Sequence, residues 1–244
     1  MKRETLAKLL FPLILLTFIC GCSTVKGWFG KKKADKPPDV LAQEGIKDLK
    51  KKNYDDAIET FEKMRDRYPY SDQALLAQIK LADAYFYKKK YDEAIQAYKD
   101  FEKLHPTNKA VPYCIFREGL CYYRQRSTID RDQTYTTKAL EEFRRLKQKF
   151  PQSEYVLRAE KHIAKCHLDL GEHDFYIAEF YYRTKRYQAA LDRYQSVAQD
   201  YPEFPKQAEV QKRIGECQKI LATADKKPKK GFFSPIANMF DAKW

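Results

Sequence analysis

Residues 75–106 read LLAQIKLADAYFYKKKYDEAIQAYKDFEKLHP, and this stretch decides the fold. Its apolar residues recur at helical spacing, which predicts amphipathic helices. Ala94 and Tyr98 stand four residues apart and share one helical face, and Pro106 stops that helix two turns later. The stretch is therefore predicted to fold as a pair of helices.

The same pattern returns along the chain as Tyr-x2-Ala-x3-aromatic-x7-Pro. The alanine and the proline are 12 residues apart in all four copies, a regularity that chance hardly produces. Three copies begin at Tyr54, Tyr91 and Tyr187, and the fourth has Thr136 in the tyrosine position. The pattern resembles the tetratricopeptide repeat, whose unit is a helix pair of about 34 residues. We therefore expect an all-α fold, a tetratricopeptide-repeat (TPR) superhelix of about ten helices.

Small residues are expected where the two helices of a unit cross, because they allow close approach. In the third unit the small residue, Gly119, lies 20 residues before Ala139, so residues 127–134 (STIDRDQT) are predicted to form a loop insertion. In the other three units the small residue lies 12 positions before the repeat alanine, at Gly45, Ala82 and Ala178.

Two further helices complete the predicted array. One covers residues 156–170 and is expected to end at Gly171, and the segment after it must serve two units at once. A final helix from about Lys206 to Ala224, with a small residue at Gly215, is expected to cap the array.

The cysteines of the repeats fit this register as small apolar core residues. Three of them follow a small residue by two positions, as Gly119 with Cys121, Ala164 with Cys166, and Gly215 with Cys217. Cys114 and Cys121 are seven residues apart on one predicted helix, about 10.5 Å of rise, which is too far for a disulfide. We therefore predict free, buried thiols.

The N-terminus reads as an export signal. Basic residues precede an apolar run over 9–19 that is too short to span a membrane, so residues 1–21 are predicted to be a signal peptide. The sequence ICGCS at 19–23 resembles a bacterial lipobox, with Gly21 directly before Cys22. The resemblance implies lipidation of Cys22, and Ser23 is similar to the residue found in lipoproteins sent to the outer membrane. The alternative is an ordinary signal peptide with a chance cysteine.

The predicted domains follow from these features. Residues 22–39 form a lipidated N-terminus and flexible tether, and 40–224 form the repeat domain, with halves at about 40–151 and 152–224. Residues 225–244 form a basic and aromatic tail that is predicted to be disordered. The alternative is a short amphipathic helix that contacts a partner or a membrane surface, with its apolar side formed by Phe232, Phe233, Ile236, Met239, Phe240 and Trp244.

The charge first suggests nucleic acid or an anionic membrane, because 47 Lys and Arg face 34 Asp and Glu for a net +13. More than half of this excess lies in the signal peptide and the two tails, which leaves the repeats only mildly basic. An exported chain meets no cytoplasmic DNA or RNA, so no nucleic-acid partner is expected.

The sequence offers little for catalysis. Residues 166–174 (CHLDLGEHD) could be read as a metal cluster, but no histidine pair has the i, i+4 spacing of a zinc helix, and no GxSxG, GxxxxGK[ST] or HExxH motif is present. We therefore expect no metal, no cofactor and no enzymatic activity. Binding remains.

The concave face of the repeats is the predicted binding surface, lined by the first helix of each pair. An extended peptide with aromatic side chains and a terminal carboxylate would suit this groove. The alternative is that some of the aromatics pack on a neighbouring helix or on the tether. The predicted groove residues are Leu76, Ile79, Asp83, Phe86 and Tyr87 in the second unit, Tyr113, Phe116, Leu120, Tyr123 and Arg124 in the third, and Arg158, Lys161, Lys165, Leu168 and Asp169 in the following helix.

Lipobox, tether, repeats and two specific stretches together resemble the BamD (ComL) family of the outer-membrane β-barrel assembly (BAM) machine. The specific stretches are TKALEEFRRLKQKFPQSEY at 137–155 and HDFYIAEFYYRTKRYQAALDRYQSVAQDYP at 173–202. The resemblance runs from Cys22 to about Ala224 and leaves the tail open.

The resemblance implies a non-catalytic subunit anchored by lipid in the outer membrane and facing the periplasm. Its implied partners are a POTRA domain of the barrel subunit BamA, other BAM subunits, and unfolded outer-membrane proteins received by the N-terminal repeats. Arg193 matches a family arginine proposed to pair with a POTRA carboxylate; alternatively it is a solvated surface arginine. Two other functions stay open: a different envelope TPR lipoprotein that acts as an adaptor for peptidoglycan or division proteins, and an enzyme or metal protein.

Overall fold

The computed structural model describes residues 36–225, which form helices and no strand. The signal peptide, Cys22, most of the tether and the tail after Asp225 lie outside the described residues. The helices are α1 (Pro38–Lys51), α2 (Tyr54–Arg67), α3 (Ala74–Tyr87), α4 (Tyr91–Leu104), α5 (Val111–Arg124), α6 (Thr134–Lys149), α7 (Val156–Arg183), α8 (Tyr187–Asp200) and α9 (Gln207–Asp225).

Each helix packs mainly against its neighbours in the chain, as in a repeat array. The tight turns after α1, α3 and α7 each use a lysine with positive φ, namely Lys52, Lys89 and Lys185. In each turn, backbone N–H groups bond back to the last carbonyls of the helix, for example Lys90 N–H to the Tyr85 carbonyl. The pairs α1–α2, α3–α4 and α5–α6 are successive TPR units, and the array is the predicted all-α TPR superhelix.

The crossing role predicted for the small residues is confirmed where the second helix is present. A Cβ added at Gly45 would lie 2.6 Å from the Phe61 ring, and one at Gly119 would lie 2.6 Å from the Phe143 ring. Ala82 and Ala178 are fully buried. The glycines therefore let the repeat aromatic of the second helix press against the backbone of the first.

The role is not found at two other positions. A Cβ at Gly215 would meet no atom within 4 Å, and Ala164 is exposed. Both residues stand at the predicted spacing, but within residues 36–225 no aromatic side chain of a following helix covers them.

The prediction that a helix ends at Gly171 is wrong. α7 runs without a break through this residue for 28 residues, and Gly171 does not have a positive φ. A Cβ here would lie 3.1 Å from the Phe204 ring and 3.3 Å from the Tyr201 ring, so the glycine serves close packing rather than termination. Because two predicted helices are one, the described residues contain nine helices and not about ten.

Three apolar cores follow one another along the array: one joins α1 to α3, a central one joins α3 to α7, and one joins α7 to α9. Four cysteines lie in these cores as free, buried thiols, which confirms the prediction. Burial raises the pKa of Cys121 and of Cys166 to about 12, so both thiols stay protonated and unreactive. The cysteines are Cys114, Cys121, Cys166 and Cys217.

The loop insertion between α5 and α6 covers residues 125–133 and packs on α7. Arg126 Nε lies 3.1 Å from Asp169 Oδ2, and His173 Nδ1 lies 2.6 Å from the carbonyl oxygen of Ile129. The insertion therefore braces the middle of the long helix.

Candidate peptide-binding groove

Most of the predicted groove residues reach the surface, although to different extents. Leu76 is 40% exposed and Tyr87 is 49% exposed, and Arg124 is exposed as well. The remaining surface members are half-buried, with one side in the core and one side free: Ile79, Phe86, Tyr113, Leu120 and Tyr123.

Two predicted groove residues, Asp83 and Phe116, do not reach the surface and are corrected here. Asp83 is 3% exposed and Phe116 is 1% exposed, because side chains from α4 and α5 cover Asp83 and side chains from α6 and α7 cover Phe116. Neither side chain can touch a peptide in this conformation. They form the floor beneath the groove instead.

Asp83 is the centre of a buried polar network under the groove. Its Oδ1 accepts hydrogen bonds from Tyr98 Oη at 2.7 Å and from Tyr113 Oη at 2.6 Å, and its Oδ2 accepts one from Lys80 Nζ at 2.8 Å. Burial and the Asp83 charge raise the pKa of Tyr98 and of Tyr113, so both phenols keep their protons and donate.

Arg117 belongs to the same network and was missed from the sequence, because its position in the repeat reads as a solvated helix face. Its side chain is 9% exposed, and an Nη atom lies 3.5 Å from Asp83 Oδ1. Its Nε donates to Tyr98 Oη at 3.0 Å, and the guanidinium lies 3.8 Å from the centre of the Phe86 ring. Arg117 thus holds the groove aromatics from below by a cation–π contact.

The aromatic wall is wider than the predicted set. The Tyr87 ring stacks on Tyr54 with centroids 5.9 Å apart, and the Phe86 ring meets Tyr91 edge-on at 5.6 Å. Tyr54 and Tyr91 are the first tyrosines of their repeat copies. The repeat pattern contained this signal, since the same tyrosine begins α2, α4 and α8 beside the end of the preceding helix.

The groove becomes basic where it passes from α5 to α7. The Arg158 guanidinium lies 4.8 Å from the centre of the Phe116 ring, so a cation covers the aromatic floor. No ion pair forms at Arg124, Arg158, Lys161 or Lys165 among residues 36–225, and all four are exposed. This arrangement is suited to binding carboxylates next to apolar side chains. Leu168, predicted for the groove, lies in a separate cleft described below.

His162 joins the floor to the basic region. Its ring stacks on Phe143 with centroids 5.0 Å apart and meets Tyr123 edge-on at 5.0 Å. Burial, Lys165 and nearby arginines lower its pKa, so the imidazole is neutral at pH 7 and acts as an aromatic packing residue.

Arg193 lies on the outer face of α8, exposed to solvent. Its nearest acidic group is Asp174 on α7, with Nη1 and Oδ1 3.4 Å apart, and the arginine side chain keeps 47% of its exposure. Asp174 also accepts a hydrogen bond from Tyr201 Oη at 3.2 Å. Such a loose, exposed pair leaves the guanidinium accessible to another carboxylate.

The described part of the chain contains no group of three or more His, Cys, Asp or Glu side chains able to hold a metal ion. Within residues 36–225, no helix is both long and apolar enough to cross a membrane. What the geometry does provide is an array of TPR units whose predicted groove face carries aromatic and basic side chains.

The family can be identified from the sequence. The model of the family described as YfiO, outer membrane lipoprotein, matches residues 34–230, and the chain belongs to this family. The resemblance seen in the sequence is thereby confirmed.

Three relatives are each named outer membrane protein assembly factor BamD. The protein of Rickettsia prowazekii is 28% identical over 227 residues, covering 92% of this chain and 88% of the relative. That of Vibrio cholerae is 27% identical over 213 residues, covering 83% and 85%. That of Caulobacter vibrioides is 26% identical over 192 residues, covering 76% of this chain and 63% of the relative.

Among solved structures, a thermophilic TPR protein of Thermus thermophilus is 20% identical, with a TM-score of 0.40 over 75% of this chain and 99% of that one. The first TPR domain of human RPAP3 is 22% identical, with a TM-score of 0.43 over 56% and 94%. At these scores the likeness adds nothing to the repeat assignment, which depends on the helix pairs themselves.

Proposed function

We propose that this chain is a non-catalytic lipoprotein subunit of the outer-membrane β-barrel assembly complex. Its relatives carry the name of an outer membrane protein assembly factor, and the family is one of outer membrane lipoproteins. In this role the C-terminal repeats bind a POTRA domain of BamA, other subunits join the same scaffold, and the groove receives unfolded outer-membrane proteins.

Membrane attachment depends on Cys22 in this proposal. Several acyl chains on one cysteine give stable anchoring where a single chain would be marginal. The chain would then sit on the periplasmic side of the outer membrane with the repeats in solution. Cys22→Ser should release the protein from the membrane fraction and abolish palmitate labelling, whereas Cys20→Ser should change neither.

The observation that carries the groove assignment is the row of unpaired cations beside the aromatic wall. An extended strand placed from Leu76 to Arg124 would bury alternate side chains against Tyr87 and Tyr123, while its carboxylates meet Arg124 and Arg158. Burial of one large apolar side chain stabilises such a complex by about 1.5–3 kcal/mol. A few such anchors suffice for transient holding.

A photoreactive residue in place of Tyr87 or Tyr123 tests the groove in cells. We expect crosslinks to unfolded outer-membrane proteins at both sites. Tyr70 is the matched control, because it is 99% exposed in the turn between α2 and α3, away from the groove. Equal crosslinking at Tyr70 and Tyr87 would contradict the groove assignment.

Docking to BamA is assigned to the surface around Arg193. Arg193→Glu should reverse the attraction to a POTRA carboxylate and reduce recovery of BamA in a pull-down. Arg186→Glu, an exposed arginine just before α8, makes the same charge change beside the proposed contact. If both variants recover BamA like the parent chain, Arg193 is not part of the interface.

A further inference from the structure

 α7 combines the first helices of two consecutive units, and within residues 36–225 no second helix stands between them. Ala159 and Cys166, seven residues apart, face α5 and α6, whereas Gly171, Phe175 and Ala178 face α8 and α9. At about 100° per residue the buried face turns by about 140° between Cys166 and Gly171. The first half of α7 therefore has a second face that no described helix covers.

This uncovered face is an apolar cleft of about 640 Å³. Leu157 is 72% exposed, Leu168 is 38% exposed, and Ala164 lies bare between them. Ala164 occupies the register position at which Gly45 and Gly119 meet a phenylalanine of their second helix. The far wall of the cleft is formed by residues 200–205.

The chain contains a segment of suitable chemistry in its tail. Ser234 and Pro235 are a helix-start signal, and Ile236, Phe240 and Trp244 then recur every four residues. Four lysines precede this segment within residues 226–230. The edge of the cleft carries charges of both signs: Lys147 pairs with Glu160 at 2.8 Å, and Asp200 and Glu203 are exposed and form no ion pair among the described residues.

The lengths of α9 and of the segment after it would allow the tail to return to the cleft. α9 begins at Gln207, next to the cleft, and its 19 residues carry the chain about 28 Å away. The nine steps from Asp225 to Ser234 can span about 30 Å when extended, which is enough to return along α9. A helix over 234–244 would be about 16 Å long, like the stretch of α7 from Leu157 to Leu168.

We propose that residues 234–244 dock as a helix in the cleft on the first half of α7 and supply the missing second helix of the incomplete unit. The stripe of Ile236, Phe240 and Trp244 covers Ala164 and Leu168. The tail is thereby a self-docking element of the array, and a partner helix that enters the cleft must first displace it.

Tryptophan fluorescence tests this docking in the full mature chain held on lipid vesicles. The chain has two tryptophans, so Trp28→Phe leaves Trp244 as the only reporter. We expect blue-shifted emission that moves to the red in Ala164→Arg and in Leu168→Glu. Leu104→Glu is the matched control, because Leu104 is 64% exposed in a different apolar cleft, and it should leave the emission unchanged.

Three results would overturn the proposal. Red-shifted emission in the Trp28→Phe parent would show that the tail is not docked. Blue emission that survives both cleft variants and is quenched by brominated lipid would place the tail in the membrane. A red shift in Leu104→Glu alone would place it in the other cleft. Unchanged helical circular dichroism shows that each variant is folded.

Discussion

At the residue scale, Gly119 and Gly215 form a matched pair, because an aromatic ring covers Gly119 and none covers Gly215 among the described residues. Gly119→Ala would place a Cβ 2.6 Å from the Phe143 ring, which is itself fully buried and cannot move aside freely. We expect this change to lower the free energy of unfolding by about 1–3 kcal/mol through overpacking. Chemical denaturation monitored by circular dichroism measures it.

Gly215→Ala is the control for that prediction. The added methyl group meets open space, and alanine is a better helix former than glycine by about 1 kcal/mol. The variant should therefore be as stable as the parent or more stable. A Gly119→Ala variant that matches Gly215→Ala in stability would show that the close contact carries no strain.

Glu118 is a second residue whose behaviour follows from burial. It is fully buried between α5 and α6, and burial together with the Glu142 charge raises its pKa to about 8, although Arg145 opposes the shift at 3.2 Å. Since the folded pKa is above the unfolded one, ionisation favours the unfolded chain, and this contribution lowers stability as the pH rises from about 4.5 to 8. Glu118→Gln removes this pH-dependent contribution to stability.

The stability of Glu118→Gln relative to the parent should therefore rise between pH 5 and pH 8, by at least ~1 kcal/mol because one pKa unit corresponds to 1.36 kcal/mol. Urea denaturation at several pH values measures the difference. A difference that stays constant across this range would mean that Arg145 keeps Glu118 ionised throughout.

At the scale of helices, α3, α4 and α5 are joined by the Asp83 network. Asp83→Ala would leave the Arg117 charge and two phenol groups without their buried acceptor, and we expect a loss of about 3 kcal/mol or more in unfolding free energy. Asp72→Ala, in the exposed turn before α3, should change stability little. Similar stabilities for the two variants would show that the network is not needed for the fold.

The helices themselves were predictable from the sequence because the repeat pattern records them directly. The alanine, the aromatic and the proline stand at fixed spacing, and packing of Phe61 on Gly45 and of Phe143 on Gly119 follows from that spacing. Gly171 was misread because a glycine after an apolar run also fits a helix end. Only the approach of Tyr201 and Phe204, distant in sequence, shows its packing role.

The exposure of several predicted groove residues followed from the sequence, but the burial of Asp83 and Phe116 did not. Repeat register identifies which side of a helix is concave, and Leu76, Tyr87 and Arg124 are exposed as expected. Repeat register cannot show that side chains from neighbouring helices cover Asp83 and Phe116. Arg117 was missed for the same reason, since burial of a charge depends on partners from other helices.

At the scale of the whole molecule, the described array combines a braced scaffold with a face of exposed aromatic and basic side chains. The insertion at 125–133 holds the middle of α7, and three apolar cores follow one another through the helices. A rigid array of this kind can present one surface to a folded partner and another to an extended chain. This division of surfaces is the central claim of the proposed function.

Pull-down of the lipidated protein in mild detergent, followed by mass spectrometry, tests that claim most directly. We predict that BamA is recovered together with outer-membrane proteins in their unfolded form, and that Arg193→Glu lowers the recovery of BamA. Recovery of other envelope proteins with no barrel subunit present would contradict the assignment to the assembly complex.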